Sequence, residues 1–307
     1  MKKITCNNAF YVKLGRNGVW ETSSLESNII RIGWAQQSLE DINGSNWKKI
    51  QRELEHEIAD KGAATRDCRA LRMLCESTSE DIWITFHGSH LWWAKVTADP
   101  AIYKDEISKY RKVEKWHCQD IAGESLLVTY IPGRISKVQG FRGTICKVKE
   151  DQELTRLING EQSPEYIAIS RSKNELCSCV EAALRRLHWK DFETLVDLVF
   201  RATGWRRVSV LGETMKFSDI ELEDPINDEL YQVQVKSAAS FKDFQQYSQN
   251  FQTSKYRKLF FVVHTPDKKL STTHPSIEDV VQLVLPKRLA EMVVDLGLIN
   301  WLMNKVR

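Results

Sequence analysis

Residues 258–265, KLFFVVHT, hold an unbroken apolar stretch from Leu259 to Val263. Strand side chains alternate between two faces, so a strand without polar alternation must be covered on both, as in the middle of a sheet flanked by helices. Five apolar residues fall far short of the roughly 20 that cross a bilayer. The neighbouring sequence fits a covered sheet. From about Asn174 to Thr203 the spacing predicts a helix, broken near His188, with Phe192, Leu195, Val196, Val199 and Phe200 on one face and Gly204 as its stop. Strands are predicted at WRRVSVLG (205–212), FSDIELE (217–223) and LYQVQVKS (230–237), the last two joined by the turn-prone DPINDE. A polar helix from about Phe241 to Ser254, the apolar strand, a strand VVQLVLP and a helix from Pro286 complete the run. The order is αβββαβ followed by β and α, a mixed sheet of the α+β or α/β class.

A chain of 307 residues exceeds what one core of about 150 usually holds, so two domains are expected. The pattern changes across 150–174, which is polar and carries Gly160 and Pro164. Residues 1–160 are therefore assigned to a first domain, 161–173 to a linker and 174–307 to a second. The first domain reads as mostly β, with short strands at AFYVKL, IIRIGW, DIWITFHG, LWWAKV, ESLLVTYI and RGTICKV. A helical insertion interrupts them at 46–60 and 65–75, where Ile50, Leu54 and Ile58 form one stripe.

Hydrophobic residues at 42% and charged ones at 28% exclude a disordered tail and a membrane protein. A net charge of +3 gives no general pull toward nucleic acid, so any such surface must be local, at Arg206 with Arg207 or at Lys255, Arg257 and Lys258. The start MKKITCNNAFYV has no apolar core of a secretory signal, so a cytoplasmic protein with reduced thiols is expected. Cys177 and Cys179 are too close for a zinc pair, and His87 and His90 lack further ligands nearby. No phosphate-cradling or serine-nucleophile motif is present.

Polar residues in the second domain stand where a core would not want them: Glu193 on the first helix, Asp219 in the second strand, Gln234 and Lys236 in the third. Residues two apart share a strand face, so Gln234 and Lys236 point together while Tyr231, Val233 and Val235 take the other side. If the second and third strands pair, Asp219 approaches that polar pair. This convergence suits metal-assisted phosphodiester hydrolysis, because a hard divalent cation needs oxygen ligands and the attacking water needs a group to orient it. Asp219 would hold the ion, the backbone carbonyl of Val235 would complete its inner shell, and Glu193 would reach it through a water. Lys236 would position the water or stabilise phosphate charge. Glu221, on the face of Asp219, is a reserve ligand.

The strings FETLVDLVFRATGWRRVSV, FSDIELE, YQVQVKS and LFFVV, with the tail KRLAEMVVDLGLINWL, resemble the Mrr-type branch of the PD-(D/E)xK nucleases over roughly 175–307. The resemblance implies a restriction-endonuclease-like fold and a Mg²⁺-dependent endonuclease in which Mn²⁺ can substitute. It matches Gln234-Val235-Lys236 to the Q-x-K variant, Asp219 to the metal aspartate and Glu193 to the helix glutamate. The family's glycines around the aspartate are replaced by Phe217, Ser218 and Glu221.

Seven of the ten tryptophans lie before residue 160, a density that suits either a core or an aromatic pocket for a base. The segments AFYVKLGRNGVWETSSLESNIIRIGW and SHLWWAKV resemble the PUA-related barrels, including EVE and YTH domains, over roughly 8–150. That resemblance implies a reader of modified bases, with Trp20, Trp34 and Trp93 as candidate base-binding side chains. Together the two parts imply modification-dependent restriction of foreign DNA, with modified duplex DNA as partner, no membrane, and a homodimer for cutting both strands. A catalytically inactive nucleic-acid-binding module and a ligand-activated antiphage nuclease remain open alternatives.

Overall fold

The computed structural model describes residues 3–208, 219–251, 255–273 and 280–307. The chain divides into two compact units, Met1–Pro164 and Glu165–Arg307, each with its own core. Both are mixed α/β. Among the described residues no helix is long and apolar enough to cross a membrane.

In the first unit the chain runs β1 (Ala9–Val12), α1 (Glu21–Ser27), β2 (Ile29–Ile32), α2 (Leu39–Asn43), α3 (Trp47–Glu57), α4 (Lys61–Glu76), β3 (Ile82–His87), β4 (His90–Lys95), β5 (Ile102–Lys104), β6 (Lys109–Lys112), α5 (Gly133–Ser136), β7 (Ile145–Val148) and α6 (Asp151–Ile158). One sheet has the order β4-β3-β1-β7, and a second the order β2-β6-β5. Strand β1 pairs parallel to β3, and the other pairings are antiparallel. Where a closed barrel is expected from the sequence, the described strands form two sheets joined only by an isolated bridge between Val96 and Val113. The helical insertion is present as α3 and α4, with Ile50 and Leu54 buried beneath α3. Asp60 caps α4 by accepting the Gly62 N–H at 2.7 Å.

Two departures have physical causes. ESLLVTYI is not a strand: it touches β4 through one bridge at Leu127 and turns into a 3-10 helix at Val128–Tyr130, while Leu126 and Ile131 fill the core from this loop. Strands β5 and β6 were not expected, because β6 turns Lys109 and Arg111 inward. The Arg111 guanidinium donates to the carbonyls of Leu74, Cys75 and Ser77 and to Ser77 Oγ, placing a buried cation at the carbonyl end of α4. Burial lowers the pKa of Lys109; its ammonium donates to the carbonyls of Trp34 at 2.6 Å and Ala35 at 3.1 Å.

The second unit runs α7 (Pro164–Leu184), α8 (Trp189–Ala202), β8 (Arg206–Arg207), β9 (Ile220–Glu223), β10 (Leu230–Ala239), α9 (Phe241–Asn250), β11 (Lys258–Pro266), α10 (Lys268–Ser271), β12 (Val281–Val284), α11 (Pro286–Asp295) and α12 (Ile299–Val306). Within the stretch 161–173 assigned to the linker, α7 begins at Pro164; its early turns expose Tyr166, Ile167 and Ile169 and so leave no buried stripe to read. His188 caps α8 after the break. The sheet order is β12-β11-β10-β9-β8, with β10, β11 and β12 parallel and β8 and β9 antiparallel to their neighbours.

Strand β11 is the doubly covered one. Val262 packs with Phe192, Leu195, Val199 and Leu289 on one face, while Leu259, Phe261 and Val263 pack with Leu270 and Phe244 on the other. Positions 209–218, including Phe217, Ser218 and most of the predicted strand WRRVSVLG, lie outside the described residues.

Candidate metal centre and base-recognition residues

Strand β9 stops where β10 continues. Its last ladder pair is Ile220 with Val233, and the Asp219 N–H still donates to the Val233 carbonyl at 3.0 Å. Beyond that point β10 runs on against β11, so the edge of Val235 that would face β9 has no described strand beside it. The side chain of Asp219 takes this place. Its Oδ2 accepts the Val235 N–H at 2.6 Å and the Gln234 side-chain amide. In an antiparallel ladder the N–H and C=O of one residue face the same edge, so the Val235 carbonyl also looks toward Asp219. Gln234 is 2% exposed, and a buried amide is ordered by the carboxylate it serves.

Lys236 follows two residues on, with its Nζ 5.4 Å from the centre of the Tyr247 ring. It lines a cavity of about 360 Å³ with Asp243, Gln246, Tyr247 and Asn250. Glu193 comes from α8. Burial pushes its pKa up, and the nearby charge of Asp219 pushes it further, while Arg207 pulls it down. Burial likewise raises Asp219, against the hydrogen bond from Val235 and the charge of Lys236. The structure thus brings Asp219, Gln234, Val235 and Lys236 together at one sheet edge, with Glu193 within reach of their field. Glu221, the reserve ligand, is already held by the Tyr256 hydroxyl and by Lys255 Nζ at 3.6 Å.

One member was missed. Asp197, one helical turn after Glu193, is 5% exposed and lies 3.3 Å from Nη1 of Arg207, whose side chain is also buried. Arg207 is therefore not a solvent-facing nucleic-acid contact as its pairing with Arg206 suggested. The available signal was Asp197 itself, an acid on the apolar face of α8.

Among the described residues no three His, Cys, Asp or Glu side chains cluster into a ready-made metal cage. The groups this edge offers are nevertheless oxygens: Asp219 and, by strand geometry, the Val235 carbonyl, with Glu193 near enough to feel the Asp219 charge; such a hard set would suit Mg²⁺ or Mn²⁺ completed by water and phosphate oxygens. Both described hydrogen bonds to Asp219 fall on Oδ2, which leaves Oδ1 as the atom that could face an ion. Two half-buried carboxylates with raised pKa values gain most from a cation, since it relieves the desolvation that raised them.

A pH dependence follows. A raised carboxyl binds more protons folded than unfolded, so the pair's contribution to stability falls as pH rises from the ordinary carboxylate values through the raised ones. A divalent cation should reverse that loss at pH 7.5. At ten times its Kd it should stabilise by about 1.4 kcal/mol, a rise in melting temperature of roughly 4 °C. Asp219→Asn should show no rise, as read by thermal unfolding with and without the metal.

In the first unit the three candidate tryptophans do not form one cage. Trp93 is 5% exposed in the second core cluster, stacks on His117 with ring centres 4.8 Å apart, and donates its indole N–H to the Gln119 carbonyl at 2.8 Å. Its ring is spent on the core. Trp20 and Trp34 are half-buried against the other cluster. Gly15 lies so close to Trp20 that an added Cβ would come 3.0 Å from the ring, and its φ of +84° also favours glycine. Nearby, Nδ1 of His87 is 2.7 Å from Glu21, and the Trp92 indole N–H donates to the His87 carbonyl at 3.1 Å.

No protein-family model and no curated protein matches the chain. Among solved structures there is a similarity to the restriction endonuclease FokI bound to DNA, with 12% identity and a TM-score of 0.25. It covers 67% of this chain but only 39% of that one. A superposition this loose fixes neither fold nor activity.

Proposed function

We propose that this protein is a Mg²⁺-dependent DNA endonuclease, with Mn²⁺ as a substitute, in which the second unit cuts and the first selects modified duplex DNA. One observation carries the cutting half. An aspartate, held by a buried amide and a backbone N–H, sits at an open sheet edge beside Lys236 and within the field of Glu193. That is the donor set which phosphodiester hydrolysis requires.

In this reading the second unit is a restriction-endonuclease-like core of the Mrr type and the first a PUA-related reader. Asp219 and the Val235 carbonyl would hold the cation, and Glu193 would reach it through a water. When bound, the ion supplies Lewis acidity at the phosphate and lowers the pKa of a water. Gln234 fixes the rotamer of Asp219. Lys236 donates hydrogen bonds to the attacking water and to the phosphate oxygen that gains charge, and Tyr247 stays its ammonium through the ring face. In the first unit Trp20 and Trp34 are the base-stacking candidates. Cleavage of both strands calls for two such centres, hence a homodimer on DNA. Coupling a weak cutter to a selective reader raises its effective concentration on marked DNA, the logic of restriction in the cytoplasm.

The test is cleavage of one plasmid prepared unmodified, methylated and hypermodified, with Mg²⁺ or Mn²⁺. Cutting is expected for a modified form only. Equal cutting of all forms removes selection by the first unit, and no cutting of any form sinks the endonuclease.

A further inference from the structure

The three-stranded sheet of the first unit carries a row of cations and rings on one face. The Tyr103 and Tyr110 rings stack with centres 5.7 Å apart and planes 21° from parallel. Lys112 Nζ lies 4.3 Å from the centre of Tyr103, and the Arg31 guanidinium carbon 5.9 Å from that of Tyr110. Beside them a cavity of about 380 Å³ is lined by Arg31, Asp105, Tyr110, Lys112, Asn28 and Thr97. This volume lies within the range of small-ligand sites.

The Arg31 side chain is 5% exposed, and its Nε, sealed from solvent, has no hydrogen-bond partner among the described residues. Among these residues only Nη1 of the guanidinium is bonded to other side chains, to Asp105 at 2.8 Å and Ser108 Oγ at 3.4 Å, while the residue itself lines the cavity. Asp105 anchors Arg31 Nη1 at 2.8 Å, but the same carboxylate oxygen also accepts the N–H groups of Ile107 and Ser108. Asp105 and Arg31 thus balance one another at the cavity wall, and Lys112, which is exposed, leaves the rim with one net positive charge.

We propose that this cavity is a nucleotide site, in which Arg31 and Lys112 take a phosphate and the Tyr110 ring takes the base by stacking. Aromatic rings bind any base through its π face, and a cation beside the ring adds the phosphate. None of these residues belongs to the Asp219 centre or to the Trp20 and Trp34 regions, so the site stands or falls apart from the proposed endonuclease. The nucleotide has two sources: a free nucleoside monophosphate, or one unit of a single-stranded DNA.

The experiment is isothermal titration of the full-length protein in EDTA, which keeps divalent cations from recruiting ligand to Asp219. The probes are dAMP, inorganic phosphate, deoxyadenosine and a short deoxyadenosine oligomer. Binding of dAMP, tighter than phosphate or nucleoside alone and weakened at least tenfold by Lys112→Glu and by Tyr110→Leu, supports a site for free nucleotide. Binding of the oligomer alone, with the same sensitivity, supports the DNA source. Lys112 is a surface residue, so Lys112→Glu by itself decides if Tyr110→Leu does not fold. No binding of dAMP or oligomer, or binding that Lys112→Glu leaves unchanged, overturns the proposal.

Discussion

If the second unit cuts DNA as proposed, Asp219→Ala is expected to leave DNA binding intact and to lower the cleavage rate by at least about 10³-fold, and Lys236→Ala to lower it by about 10²-fold or more. The size of the first loss comes from the geometry at the sheet edge. Asp219 is the one side chain there that would hold the cation directly, whereas Glu193 would act through water. Removing Asp219 also leaves the Gln234 amide, 2% exposed, without its acceptor, so Asp219→Asn is the milder control for folding. The rates are read from plasmid nicking and linearisation at saturating Mg²⁺, and binding from a gel shift in Ca²⁺. Wild-type rates from both alanine variants would remove the catalytic assignment while leaving the fold untouched.

Phe192→Ala is expected to destabilise the second unit by about 3–5 kcal/mol. The ring is fully buried, meets His264 edge-on with centres 4.4 Å apart, and belongs to the core that covers Val262 on β11. Because each unit has its own core, denaturant should unfold the second at lower concentration, while a first-unit probe such as the buried Trp83 keeps its midpoint. A common shift of both transitions would mean that the units unfold as one. Phe192 precedes Glu193 on α8, so the variant should also lose cleavage at temperatures below the wild-type melt.

The second unit was largely legible because its signals are of the kinds a sequence displays well. An apolar strand, an amphipathic helix stopped by Gly204, and a Q-x-K pattern on one strand face all survive into the structure. Asp219 approaches Gln234 as face alternation suggests. The failures have a common origin in residues whose environment contradicts their type. Lys109 and Arg111 point inward and hide β6, and Asp197 and Arg207 form a buried ion pair where the sequence suggests a solvated surface, while Trp93 takes the core role that the tryptophan density left open beside the pocket one. Local pattern assumes that charge means solvent; each of these charges is instead matched by carbonyls or a counter-ion that only the folded chain brings near. The α7 helix over 164–173 was hidden by the opposite effect, exposed apolar side chains with no buried stripe.

The hold on the Trp34 loop reaches further than this one residue. Lys109 grips the loop by two backbone carbonyls, and Trp34 itself sits at a φ of +55°, a conformation that costs a bulky residue on the order of 1 kcal/mol or more. The shape of the loop is therefore written into β6 and not into the side chain the loop presents. Descendants of such a chain could trade the indole for another ring, or for a polar group, and inherit the same backbone path. If Trp34 meets a base as proposed, the side chain at this position can change while the backbone path beneath it, fixed by Lys109, stays the same.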